Sequence, residues 1–380
     1  MALRQHLLMY DFLFVNGGAE AVSLQLVKSR EDMDLSVGFI NSDNFPEAPL
    51  EAEKLISLGK STRILGWQTI KTSWLFKYKT GFINRYEKVV FSGSNTPLAV
   101  HNHIGKVNIL YCHTPPRFVY DLKAHYLSTA PLWQKILLKC LIAWFQPQYE
   151  KAIGKMDLVI ANSRNVQERL KHYLGIKSIV IYPPCDTNKF KWMGQEDFYL
   201  STARLEPYKR VDLIVEAFLK MPQKNLIIAS GGSQLERLKT LAKGAKNIHF
   251  TGWCDQSTLI DLMGRCTASI YLPMNEDFGM SPVESMAAGK PVIGVAEGGI
   301  LETIVENKTG VLCPSDPTNE DIINAVNYLS KDTAASMRED CEKQADKFSA
   351  KRFHQSIDAL LDCSKEQLQD TASKVDATST

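Results

Sequence analysis

Two glutamates, Glu276 and Glu284, stand eight positions apart in the stretch Asn275-Glu276-Asp277-Phe278-Gly279-Met280-Ser281-Pro282-Val283-Glu284. The apolar run Ala268 to Leu272 before it reads as a buried strand, and the residues after it have helical spacing. A strand, a glycine-containing turn and a helix form the mouth of a ligand site in α/β proteins, because amides at the helix start face what lies above the strand. Ser281 followed by Pro282 predicts a helix capped at Ser281, leaving the amides of Gly279, Met280 and Ser281 for an anion. Glu284 has a second reading, since its spacing from Ser281 also suits a capping box. Glu276, outside the helix, has no such structural use.

Cations follow the same logic. The segment Ser201-Thr202-Ala203-Arg204-Leu205-Glu206-Pro207-Tyr208-Lys209-Arg210 leaves another expected strand and carries Arg204, a bidentate fork for phosphate, and Lys209, a point charge. Glycine-rich turns occur at Gly231-Gly232-Ser233 and Glu297-Gly298-Gly299. In the first half, Gly17 and Gly18 lie between a strand and a helix, where backbone can approach a ligand or simply turn. His113, at a strand end before Pro115-Pro116, is either a ligand contact or a structural histidine. Cations, amides and carboxylates on one rim suit a nucleoside diphosphate bearing a hydroxyl-rich group.

The elements that must position these groups alternate along the chain. Strands are expected at 6–10, 35–40, 62–65, 88–92, 107–112, 158–162 and 179–182, then at 198–202, 226–230, 248–251, 268–272, 292–295 and 310–312, with helices between most of them. That alternation predicts mostly parallel sheets covered on both faces. Pro183-Pro184 marks a break, giving domains 1–183 and 184–350, a helix at 351–365 returning to the first domain, and a solvated tail at 366–380.

With 380 residues, 44% of them hydrophobic and 23% charged, the composition is that of a two-domain globular protein. Eight cysteines without a Cys-x-x-Cys pair and the absence of a leader pattern favour a reducing cytoplasm. The net charge of +2 divides into +8 for residues 1–183 and −6 for 184–380. The first half therefore favours anionic partners, an anionic membrane surface included; no motif supports nucleic acid. Trp67 to Arg85 and Leu132 to Phe145 interleave aromatic and basic residues, as at a membrane interface or, for the second stretch, in a core helix buried on two sides.

In these motifs the chain resembles glycosyltransferase family 4. The Glu276–Glu284 stretch is similar to that family's E-x7-E motif, and Arg204 with Lys209 to its Arg/Lys pair. The Gly17-Gly18-Ala19-Glu20 turn, His113 and Glu297-Gly298-Gly299 fall where the family has theirs. Arg210 departs from the pattern, which often has Gly after the Lys. The resemblance implies a GT-B fold, two doubly wound Rossmann-like domains facing across a central cleft, and retaining sugar transfer from a nucleotide sugar without an essential metal. It implies that Glu276 and His113 contact the donor sugar, that Glu284 holds the ribose and that Arg204 and Lys209 neutralise the diphosphate. Phe278, Gly279, Met280, Ser281, Gly17 and Gly18 complete the binding surface. Within the family, the motifs resemble bacterial mannosyltransferases that use GDP-mannose and a polyprenyl-diphosphate-linked acceptor in O-antigen or other surface polysaccharide synthesis, peripheral on the inner face of the cytoplasmic membrane. A UDP-sugar donor, or a nucleotide-sugar epimerase of the same fold, is the alternative.

Overall fold

The computed structural model describes residues 5–13, 17–41, 51, 54–60 and 67–379. The chain divides into two compact units, residues 1–182 with 354–380, and residues 183–353.

Unit 1 is built on a seven-stranded sheet, β1 (His6–Tyr10), β2 (Met33–Val37), β3 (Leu55–Ser57), β4 (Lys88–Ser92), β5 (Val107–Cys112), β6 (Leu158–Ala161) and β7 (Ile179–Val180), in the order β3-β2-β1-β4-β5-β6-β7. Every pairing is parallel. β1, β2, β4, β5 and β6 are buried along their whole length, as expected of strands covered by helices on both faces. Its helices are α1 (Gly18–Lys28), α2 (Trp67–Tyr78), α3 (Lys123–Thr129), α4 (Leu132–Ile153) and α5 (Arg164–Leu174). The strand expected at 62–65 lies outside the described residues; β3, only three residues long and not fully buried, takes the sheet edge.

Unit 2 repeats the plan with β8 (Tyr199–Ser201), β9 (Leu226–Ile228), β10 (Ile248–Phe250), β11 (Ala268–Ile270), β12 (Val292–Val295) and β13 (Gly310–Cys313), ordered β10-β9-β8-β11-β12-β13 and again parallel. The helices include α6 (Val211–Leu219), α7 (Leu235–Leu241), α8 (Gln256–Arg265), α9 (Met280–Ala287), α10 (Ile300–Thr303), α11 (Asn319–Tyr328), α12 (Lys331–Ser336) and α13 (Arg338–Asp346). In both sheets the strand order reverses beside the first strand, between β1 and β4 and between β8 and β11. Loops leaving the carboxyl ends of those strands diverge and open a crevice, the habitual ligand position in this topology.

Helix α14 (Ala350–Asp362) carries the chain from unit 2 into unit 1, where Arg30 donates to Asp358 at 2.7 Å and Asp362 at 2.8 Å and Lys88 Nζ donates to the Leu360 carbonyl at 3.0 Å. The expected solvated tail at 366–380 is instead helix α15 (Leu368–Ser379). Its apolar residues Leu368, Ala372 and Val375 fall at i, i+4 and i+7 and are buried, and Asp376 accepts the Val180 N–H of the edge strand at 2.8 Å. A narrow stripe at helical spacing docks a helix that composition alone assigns to solvent.

Candidate active site

The unit 2 crevice is furnished from both sides of its strand-order reversal. From β8 the chain passes through Arg204 to a 3-10 turn, Pro207–Lys209; from neighbouring β11 it runs through Tyr271 to Glu276. Lys209 Nζ lies 2.6 Å from Glu276 Oε2 and 2.9 Å from the Tyr271 hydroxyl. The pair is largely out of water, with side chains 10% and 19% exposed, so loss of either partner leaves an uncompensated charge. Tyr271 also hydrogen-bonds Glu276, and burial followed by that carboxylate pushes its phenol well up. A main-chain bond from Met274 N–H to the Tyr208 carbonyl, 2.8 Å, ties the two loops together. Arg204 stands exposed on the β8 loop, its charge acting on Tyr271.

A third loop, from β12, closes on the same place. The Gly299 N–H donates to the Glu276 carbonyl at 2.9 Å, and a Cβ at Gly299 would sit 2.4 Å from the Asp277 carbonyl oxygen, so only glycine permits this approach. Arg210 has φ +53° and ψ +33°, the left-handed region that favours glycine. Its guanidinium donates to the Ser315 carbonyl at 2.9 Å and lies 3.7 Å from Glu297 Oε2, contacts that offset the strained backbone and join the β8, β12 and β13 loops.

Helix α9 begins one residue before the expected cap. Gly279, at φ +96°, is the N-cap and has no side chain to offer; Ser281 and Pro282 are already inside the first turn. The Ser281 capping box is therefore not formed: with the cap moved to a left-handed glycine, the Ser281–Glu284 spacing no longer spans the helix start. The α9 amides are left without a side-chain cap, and Glu284, released from that duty, is a carboxyl that burial pushes up to about 7. The Phe278 side chain turns inward, 2% exposed and edge-on to Phe348 at 5.2 Å, so it braces the turn from beneath. Met280 and Ser281 remain half-buried.

Unit 1 places its residues on the corresponding rim. Gly17 caps α1 in extended conformation, and Gly18 opens that helix, exposed. His113 follows β5, with Nε2 2.9 Å from the Ser92 hydroxyl at the end of β4 and the rings of Tyr111 and Tyr10 edge-on at 5.1 and 6.3 Å. Burial pushes its imidazole down to about 4, which makes it neutral near pH 7. Beside it, the buried Asp11 carboxylate accepts the N–H groups of Ser94, Asn95 and Thr96 at 2.8, 2.8 and 3.0 Å. Here the chain supplies its own carboxyl group to the amides at the strand-order reversal; burial pushes that carboxyl up, and the N–H groups it accepts oppose the rise.

Residues 186–348 match the family described as glycosyl transferases group 1. The whole of that match lies within unit 2. The chain is 29% identical over 305 residues to the alpha-1,3/1,6-mannosyltransferase ALG2 of Dictyostelium discoideum, covering 67% of this chain and 69% of that protein. It is 28% identical over 246 residues to the human protein of the same name, 56% of each. It thus spans between just over half and about two thirds of the length of these curated relatives. Anabaena Alr3699/HepE, solved in complex with UDP and glucose, shares the fold at a TM-score of 0.71 and 17% identity, over 94% of this chain and 99% of that one. The fold is GT-B.

Some residues of the two rims escape a reading of motifs. Tyr271 is hidden in the apolar run of β11, although a phenol at a strand's carboxyl end signals a polar partner beyond it. Ser92 and Asp11, each at the end of a strand of unit 1, carry the same positional signal but no motif spacing.

Proposed function

We propose that this protein is a glycosyltransferase that moves a mannosyl group from GDP-mannose, with retention, to a saccharide carried on a polyprenyl diphosphate, in surface polysaccharide or O-antigen synthesis at the cytoplasmic face of a membrane. The observation that carries the reading is the 2.6 Å contact of Lys209 with Glu276 beside the uncapped start of α9. A cation and a carboxylate held side by side suit the two ends of one donor, the diphosphate and the sugar it leaves. Mannose is favoured by the likeness to proteins named alpha-1,3/1,6-mannosyltransferase.

In this reading the bond between the anomeric carbon and the phosphate oxygen breaks as charge grows on the diphosphate. Lys209, Arg204 and the α9 amides meet that charge, fixed in advance and therefore most effective in the transition state. They take the place of an essential metal. The acceptor hydroxyl forms the new bond on the same face of the sugar and passes its proton to the departing phosphate oxygen. Glu276 orients the donor sugar, the neutral His113 offers it a hydrogen bond without adding charge, and Glu284 accepts from the ribose hydroxyls.

A thermal-shift series with GDP, UDP, ADP and their sugars tests the donor, since a ligand that binds only the native state raises its melting temperature. GDP and GDP-mannose are expected to give the largest shifts, and labelled mannose is expected to appear on a polyprenyl-diphosphate saccharide. A larger shift with UDP-sugars would overturn the donor; turnover of the nucleotide sugar alone, into an epimer, would overturn transfer.

A further inference from the structure

Helix α4 is apolar on two opposite sides. Ile142, Phe145, Tyr149 and Ile153 pack into the unit 1 core. With 3.6 residues per turn, Leu132, Trp133, Ile136, Leu137 and Trp144 fall on the other side. They are 80%, 62%, 64%, 43% and 42% exposed. Isolated exposed apolar side chains are ordinary, whereas a contiguous stripe marks an interaction surface. Helix α2 extends it with Trp74 and Tyr78, exposed, and its Lys77 donates to Gln148 of α4 at 2.8 Å.

The charge around this stripe has one sign. No Asp or Glu occurs from residue 54 to 86 or from 122 to 149, while Lys71, Lys77, Lys79, Lys123, Lys135 and Lys139 do. A symmetric pairing of two copies through this face would set lysines against lysines. An anionic lipid surface meets both features, apolar side chains below the headgroups and lysines among the phosphates.

We propose that the outward face of α4 enters an anionic lipid surface, with Leu132, Trp133, Ile136 and Leu137 at the headgroup–acyl boundary and the α2 aromatics and flanking lysines at headgroup level. No helix of the described residues is long and apolar enough to cross a membrane, so the contact is one of lying on the surface. The inference rests on the lipid-linked acceptor for its purpose, since an acceptor anchored in a bilayer is reached only from that surface. Its physical basis is separate from donor chemistry.

The test is sedimentation of the full chain with phosphatidylcholine vesicles, with and without phosphatidylglycerol, for the native protein and Ile136→Glu/Leu137→Glu. Both positions are exposed, so the double variant keeps its melting temperature. The native chain is expected to sediment with anionic vesicles in a salt-sensitive way, its tryptophan fluorescence quenched by brominated acyl chains, and the variant to bind about tenfold less or weaker. Equal binding by the variant, or no anionic preference, would overturn the proposal. So would a native dimer in solution that the double substitution dissolves. The GDP thermal shift on the same samples separates the two readings: unchanged shift with vesicle binding lost concerns the surface alone, and vesicle binding without any nucleotide shift sinks the donor site alone.

Discussion

The two units share one strand order, apart from the extra edge strand β7 of unit 1, and one crevice position but furnish it differently. In unit 1 the amides following β4 are occupied by the buried Asp11, and the polar group left facing the rim is His113, held neutral by burial. In unit 2 the amides starting α9 are uncapped, and the rim carries an ion pair, Lys209 with Glu276. A Rossmann-like rim is thus a neutral scaffold for charge. Under the proposed function, the contrast would give charge stabilisation to unit 2 and uncharged hydrogen bonding to unit 1.

The harshest challenge to that division is Lys209→Ala. It removes a cation from the transition state and strands Glu276, so kcat is expected to fall about 10³-fold or more, well beyond the change in KM for the donor. An equal loss in donor affinity and transition-state binding would reduce Lys209 to a tether. Glu276→Ala should also abolish transfer while GDP still raises the melting temperature, because GDP lacks the sugar.

His113→Ala should cost less, roughly 10- to 100-fold in kcat/KM, the scale of a lost neutral hydrogen bond in a site. With its imidazole near 4, the native pH–rate profile should show no limb from this histidine above pH 5. A limb that His113→Asn abolishes near pH 6.5 would show that the residue acts as a cation and would break the contrast.

Stability sharpens it next, because the two rims respond to pH in opposite senses. Glu284 has a raised folded pKa, so the stability linked to it is full below about 4.5 and is lost as pH rises towards 7. His113 has a lowered one, so its contribution is full above about 6.5 and is lost as pH falls towards 4. Glu284→Gln is therefore expected to raise the melting temperature of the ligand-free protein by a few degrees at pH 8, corresponding to about 1–3 kcal/mol, and to leave it unchanged at pH 4. The same substitution should weaken GDP binding about tenfold by titration calorimetry, a trade of stability for function. Equal melting temperatures at pH 8 would mean that water reaches the carboxyl.

The smallest expected effect belongs to Ser92→Ala. Losing the hydroxyl on His113 Nε2 should lower kcat/KM a few-fold with KM for the donor nearly unchanged, and Ser92→Thr should restore it. A change in melting temperature alone would confine Ser92 to packing.

Periodicity placed most strands because both sheets are covered on both faces, so their strands read as continuous apolar runs. It failed at β3, which is three residues long and at an edge, and at α15, where three buried apolar residues suffice. Motif spacing brought Glu276, Lys209 and Arg204 to one rim, since parallel strands collect their carboxyl-end loops together. It misplaced the α9 cap, because Ser-Pro is a local signal that the left-handed Gly279 overrode.

By itself, then, the sequence determined the alternation, the break near Pro183, the charge asymmetry and the residue types at the rim, all local or additive properties. Only the tertiary structure decided that Lys209 is paired with Glu276 and Tyr271, that Glu284 is a desolvated carboxyl rather than a cap, and that α4 buries one apolar side and exposes the other. Pairing, desolvation and exposure are properties of neighbours distant in the chain, and side-chain type at one position does not encode them.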